Sequence, residues 1–249
     1  MKIEVVTGHY ENGYREYGKR CLESFDRHWP ANVKLTVYTE YTFGCPGAEI
    51  RHLYDLKEAS SFLARHHDNP HAQGRQQKPG TCWKKKDSDA GYNFRFDALK
   101  FCKMAFYTAD AARRSDADVL IWLDGDVLTF ADVPGGFLEN VIPDGHTCAF
   151  LGREPYHSET GFVAFTRSSA IPRLWGDMYS SDSVFKLPEW HSAYCFDIAR
   201  KTSGEKCHNL TPGGKKHVWF ASPLGTFSDH LKGRRKAQGY SNERFARAG

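Results

Sequence analysis

The chain opens on a β-rich stretch, Lys2–Thr7, that runs into a turn at Gly8. Apolar residues then recur at helical spacing at Tyr17, Cys21, Leu22, Phe25 and Trp29, and Pro30 ends that helix. Val33–Tyr38 alternates as a strand, and strand, helix and strand in succession begin an α/β sheet with a parallel crossover. Residues 65–95 hold little apolar periodicity but many His, Gln, Lys, Gly and Asp, and read as a long loop or lid. Phe96, Leu99, Phe106 and Tyr107 form the apolar stripe of a further helix, which the polar stretch Asp110–Asp118 should end. Val119–Leu123 is a continuous apolar run, the pattern of a central parallel strand covered on both faces. Further strands are expected at His146–Leu151, Gly161–Thr166 and Trp219–Ala221, and helices at Ser168–Tyr179 and Ser192–Thr202. The pattern predicts one α/β domain with a Rossmann-like, mostly parallel central sheet flanked by helices.

Composition narrows this picture. The 249 residues include 17 Phe, 12 Tyr and 6 Trp, enough apolar bulk for a sizeable core and too much for a disordered chain. No run approaches the roughly 20 apolar residues of a membrane span. The first residues turn polar too early for a signal peptide, so a soluble protein of the cytoplasm, or of the host cytoplasm if viral, is expected. Seven scattered cysteines, an odd number without CxxC pairs, predict free thiols rather than a disulfide framework or zinc site. The net charge of +4 is too small to imply nucleic acid by itself.

Candidate chemistry concentrates where the buried strand ends, at Leu123-Asp124-Gly125-Asp126. Carboxylates at i and i+2 on extended backbone point to one side, and Gly125 lets a ligand or another backbone come close. Ligands of open α/β sheets bind beyond the carboxyl ends of strands, and paired carboxylates there suit Mg²⁺ or Mn²⁺ bridging to phosphate. Asp-Gly is equally a plain turn. More than a hundred residues later, Asp229-His230-Leu-Lys-Gly233-Arg-Arg-Lys236 sets His, Gly and Lys at HxxGxxK spacing. Imidazole is a ligand for Mn²⁺, a glycine lets backbone amides approach phosphate, and a lysine supplies a point charge. A solvated basic tail is the competing reading.

Together the two motifs resemble the metal and diphosphate site of nucleotide-sugar-dependent glycosyltransferases of the A-type fold. The second is similar to that of the glycogenin and galactosyltransferase-like retaining group, with Ala237-Gln238 standing where that pattern continues Pro-Trp. The resemblance implies a UDP-sugar donor and Mn²⁺ or Mg²⁺, with Asp124 and Asp126 on the metal and ribose and His230 completing the metal shell. It puts Gly233 and Lys236 on the diphosphate. Thr7, Gly8, His9 and Tyr10, at the first strand end, would receive base and ribose, and Arg95 or Lys100 would contact the nucleotide. Residues 1–130 would then be the nucleotide-binding half, 131–225 the acceptor half, and 226–249 a basic segment closing on the diphosphate. The HxxGxxK spacing tilts the stereochemistry toward retention.

On the acceptor side the candidates for catalysis are Glu159, His191 and Asp197, with Glu189 beside them and Trp190 and Tyr194 as a sugar-stacking wall. Each has a structural alternative: Glu-Thr-Gly is also a tight turn, and 188–197 also a buried aromatic helix. Lys84–Lys86 and the tail cations through Arg244 and Arg247 interleave with aromatics such as Tyr92, Phe94, Tyr240 and Phe245, a pattern that suits single-stranded or flipped bases. A phage-type enzyme acting on hydroxymethylated DNA bases is therefore one expectation, beside small sugars, a lipid-linked sugar or a protein side chain. Two other classes remain: a nucleotidyltransferase making sugar nucleotides, and a non-catalytic basic nucleic-acid-binding module. The first normally carries a Gly-rich, cation-containing loop after the first strand, where this chain has only Arg15 nearby.

Overall fold

A computed structural model describes residues 1–75, 91–214 and 217–240. Strand β1 (Ile3–His9) leads through a short helix α1 (Glu11–Gly13) and a π-helical turn (Tyr14–Gly18) into α2 (Lys19–His28), then β2 (Lys34–Thr39), β3 (Ala48–His52) and α3 (Lys57–His66). Next come α4 (Ala98–Arg114), β4 (Val119–Leu123), β5 (Val127–Thr129), α5 (Gly135–Asn140), β6 (Cys148–Leu151) and β7 (Glu159–Thr166). The chain continues through α6 (Ile171–Ser180), α7 (Ser192–Ser203), β8 (Cys207–Asn209), α8 (Val218–Ala221), β9 (Ser228–His230) and α9 (Arg235–Gln238). Seven strands form one sheet in the order β3-β2-β1-β4-β7-β6-β8, and β5 and β9 form a separate two-stranded ladder.

The sheet is mostly parallel, as the pattern of elements predicts; β7 alone runs against its neighbours, pairing antiparallel with β4 and β6. Pleating sends alternate side chains of the central strands to opposite faces. Val6, Leu120, Trp122, Val163 and Phe165 pack with α3, α4, α6 and α7, while Val5, Ile121, Leu123, Phe162 and Ala164 pack with Leu22, Phe25 and Trp29 of the α2 side. Both faces of β4 are therefore core, which is why Val119–Leu123 is apolar without a break. Strands from both sides of residue 130 lie in this one sheet.

Two expectations change, at Trp219–Ala221 and at Glu159. Trp219–Ala221 is helix rather than strand: the indole Nε1 of Trp219 donates to the Ser228 carbonyl at 3.1 Å, which folds the segment back on itself. Helix α4 ends at Arg114, within the polar stretch Asp110–Asp118 as expected, and the buried carboxylate of Asp110 accepts from Tyr38 Oη (2.6 Å) and Arg51 Nε (3.1 Å), partners invisible in local sequence. Much of 65–75 and 91–95 is ordered turn, and Gln73 bridges to Asp97. Glu159 lies within β7 rather than in a turn before it. Lys84–Lys86, Cys82, Arg244, Phe245 and Arg247 lie outside the described residues. The cysteines at described positions carry free thiols, and no described helix is long and apolar enough to cross a membrane.

Candidate active site

The site grows from the end of β4. The turn after it is fixed by Asp124 N–H donating to Gly161 O (2.9 Å) and by Val127 N–H donating to Asp124 O (3.0 Å). Gly125 is required between the two carboxylates, since a Cβ there would lie 2.5 Å from Nδ1 of His9. The close neighbours are this buried histidine and the backbone carbonyl of Gly8, 2.8 Å from the same Cβ position. Burial drops the His9 ring to about 4, so it stays neutral and acts as packing between Gly18 and Gly125.

The β5–β9 ladder delivers the distant half. Val127 pairs with His230, and Leu231 N–H donates to Asp126 O at 3.0 Å. His230 Nε2 then sits 3.0 Å from Asp126 Oδ1 and 3.4 Å from Asp124 Oδ2. Its Nδ1 is 3.5 Å from Glu159 Oε1. The ring packs on Trp219, with centroids 5.1 Å apart, and on Gly161, where an added Cβ would fall 2.5 Å from Nδ1. Trp122 Nε1 donates to Asp124 Oδ1 at 2.8 Å and sets that carboxylate's orientation.

Charges in this cluster cancel in pairs. Lys236 Nζ lies 2.8 Å from Asp126 Oδ2 and 4.4 Å from the Tyr17 ring centroid, and Lys232 bonds to Glu159. Burial disfavours a charged His230, yet Asp126 beside it outweighs that cost and lifts the imidazole to about 9. Burial opposes ionisation of Asp126 too, and His230 with Lys236 overcomes it, holding the carboxyl well below its ordinary value. Burial against the pull of Lys232 and His230 leaves Glu159 at about 2. Glu159 is consequently a fixed anion anchoring Lys232 and His230.

Asp124, Asp126 and His230 present ligand atoms within 4.8 Å of one another. Two carboxylates and an imidazole are the donor set of a divalent cation of the Mn²⁺ or Mg²⁺ class, with imidazole favouring Mn²⁺. Lys232 and Lys236 beside this set supply the positive charge that a diphosphate requires, so the residues fit both groups.

A cavity of about 600 Å³ opens beside the cluster, lined in part by Asp124, Glu159 and His230 on one side and Arg95, His157 and His191 on the other. Of the predicted residues, the structure brings Asp124, Asp126, Glu159, His230 and Lys236 together, and Gly233 takes φ +60° in the turn between His230 and Lys236. Arg95 lines the cavity and pairs with Glu189 at 3.0 Å. Tyr10 is exposed at the end of β1, 6.4 Å from Tyr17 between ring centroids. Thr7 is buried in β1, and Gly8 is glycine because Tyr107 lies where its Cβ would go. Lys100 is exposed in the first turn of α4 with its Nζ 5.3 Å from the centroid of the ring of Phe101, which lines the cavity, but Lys100 itself is not a lining residue. Asp197 serves the backbone instead: it accepts from Ser158 N (3.0 Å) and Oγ (2.6 Å). Trp190 is buried against Phe96 and Phe185, a core residue rather than an open wall. Sequence reasoning missed Trp122, Gly161, Lys232, Trp219 and His157. Only Gly161, flanking Glu159 in a strand, carried a readable local signal.

No family model and no curated protein matches the chain. Among solved structures, it is similar to mouse xyloside xylosyltransferase 1 in its apo form, at 11% identity over 84% of this chain and 85% of that one, with a TM-score of 0.48. It is also similar to a glycosyltransferase involved in the glycosylation of the major capsid of PBCV-1, at 12% identity over 96% of this chain and 100% of that one, with a TM-score of 0.50. The fold is that of the A-type glycosyltransferases. In the A-type fold of this chain, the acidic pair sits where an open α/β sheet binds its ligand, beyond the carboxyl end of a central strand.

Proposed function

We propose that the protein transfers a sugar from a nucleoside diphosphate sugar, a UDP-sugar by preference, to a hydroxyl acceptor. The observation that carries this reading is the convergence of Asp124, Asp126 and His230 at the end of β4, beside a cavity and under two lysines. A divalent cation bound there would act as a Lewis acid on the departing diphosphate. Lys236 and Lys232, now paired with Asp126 and Glu159, are the residues that would exchange their carboxylates for diphosphate oxygens. Gly233 allows that turn to approach the phosphates without a Cβ, and Lys236 is steadied on Tyr17. Trp122 and Gly161 orient Asp124 and His230, so the anion-stabilising groups stand preorganised and need little rearrangement as charge develops. Thr7 and Tyr10 are the residues we assign to the nucleotide, and the HxxGxxK spacing favours retention.

The acceptor is assigned only as a hydroxyl. Hydroxymethylated DNA is included in the test because of the basic residues flanking the site. The experiment is a screen of nucleotide sugars for Mn²⁺-dependent release of the nucleoside diphosphate, with and without hydroxymethylated DNA. Mn²⁺-dependent release that disappears in Asp126→Asn supports the proposal. Tight DNA binding with a steep salt slope and no thermal shift by UDP with Mn²⁺ would reject it in favour of a nucleic-acid-binding module.

A further inference from the structure

A second set of metal-ligating side chains stands in the same cavity and takes no part in the diphosphate site. His157, from the loop between β6 and β7, and Glu189 and His191, from the segment that leads into α7, place one ligand atom each within 4.8 Å of one another. Both histidines aim Nε2 at a single oxygen: His191 is 2.8 Å and His157 3.4 Å from Glu189 Oε2. The other oxygen, Oε1, is held by Arg95 at 3.0 Å, so the carboxylate is fixed with one oxygen facing the two imidazoles.

The outer shell has the form that metal sites use. A ligating histidine commonly presents its second ring nitrogen to a carboxylate, which sets the ring's orientation. His157 Nδ1 lies 3.9 Å from Asp197 Oδ2, and the same Asp197 clamps the next residue through the Ser158 amide and hydroxyl. Arg153 Nε donates to the His157 carbonyl at 3.1 Å, pinning the loop from its other side. The His157 side chain is 37% exposed and that of His191 only 9%, so the pair combines an entry path with a buried, rigid partner.

We propose that His157, Glu189 and His191 form a second divalent-cation site, of the Zn²⁺ or Mn²⁺ class, on the acceptor side of the cavity. Two imidazoles and one carboxylate are a three-ligand set that leaves a coordination position open, and His157 and His191 both line the cavity into which it would open. That position suits an oxygen of the acceptor. The site does not depend on the donor reading, because it shares no ligand with Asp124, Asp126 and His230.

The test is metal binding by the full chain, with Zn²⁺ followed by titration calorimetry and Co²⁺ by its visible absorption. Wild-type protein should take up two ions, and Asp126→Asn, which disables the first set, should keep one. Adding His157→Ala to Asp126→Asn should weaken the remaining binding by roughly 100-fold or more, beyond the ~10–100-fold lost when only an outer-shell partner is removed. His157→Gln, which keeps a hydrogen-bonding group beside Glu189 but no imidazole, should do the same, and circular dichroism confirms that each variant is folded. The Co²⁺ spectrum of Asp126→Asn should show nitrogen and oxygen ligation without a thiolate charge-transfer band. Binding that survives His157→Ala and His157→Gln, a thiolate band, or no ion retained by Asp126→Asn overturns the second site. Loss of the first ion alone leaves this pattern intact, so failure of the donor reading is separable.

Discussion

Gly161→Ala is the most direct probe of the proposed donor site, because it removes no charged group and acts only by crowding His230. A Cβ on residue 161 would lie 2.5 Å from Nδ1 of His230 and 3.2 Å from Cζ3 of Trp219. To reach an ordinary contact of 3.4 Å the imidazole must give way by about 0.9 Å, and Trp219 packs against the same ring. Overpacking of this kind costs ~1–3 kcal/mol of stability. The effect on the cation should be larger in proportion, since a shift of that size is a sizeable fraction of the 3.0 and 3.4 Å that separate Nε2 from the two carboxylates. Disturbing the support of a metal ligand typically costs ~10–100-fold in affinity. Mn²⁺ affinity is measured by calorimetry or by the loss of the free-ion resonance, with the melting temperature recorded in parallel. Gly136→Ala is the control: its Cβ meets nothing within 4 Å, and it lies in α5, where alanine stabilises a helix by about 0.5–1 kcal/mol over glycine. Wild-type Mn²⁺ affinity in a folded Gly161→Ala protein refutes the placement of His230 as a ligand.

Asp126→Asn and His230→Ala should each slow transfer by about 10²–10³-fold while the far-ultraviolet dichroism is unchanged, and wild-type rates in either reject the metal assignment. Lys236→Ala should weaken UDP binding about tenfold or more, the worth of a charge-assisted hydrogen bond; equal binding by calorimetry places the diphosphate elsewhere. The raised His230 implies a pH dependence of stability without metal. Its folded value of about 9 exceeds the ordinary 6.5, so the pairing stabilises fully below pH 6.5 and the gain is lost as pH rises through 9. Thermal melts from pH 6 to 9.5 should show this decline in wild type and not in His230→Gln. Because the cation must displace that proton, the thermal shift given by Mn²⁺ should grow over the same interval; a flat shift contradicts the coordination.

The cluster at the end of β4 was legible in outline because its two parts are short local motifs. Asp124-Gly125-Asp126 follows a strand whose apolar run announces its burial, and His230 and Lys236 keep a fixed spacing. The local signal failed where side chains act through partners far away in sequence. The burial of Asp110 makes sense only once Tyr38 and Arg51 meet it, and nothing local shows that Ser158 donates to both oxygens of Asp197. Lys100 and Arg95 are alike as cations near one helix start, yet only Arg95 reaches the cavity wall.

What the amino-acid order determined alone is the layered α/β plan, since hydrophobic period and turn residues are properties of neighbouring positions. It also determined which carboxylates, imidazoles and lysines were present for the site we propose. Tertiary structure decided which of them meet. The β5–β9 ladder brings His230 to Asp126 across 104 residues, and Gly161 on a third strand leaves room for the ring. Charge state followed from that meeting, because an imidazole between carboxylates in a buried place gains more from its neighbours than it loses in hydration. The histidines at 157 and 191 converge on Glu189 in the same way: a loop and a helix start, separate in sequence, are tied together where Ser158 donates to Asp197 of α7.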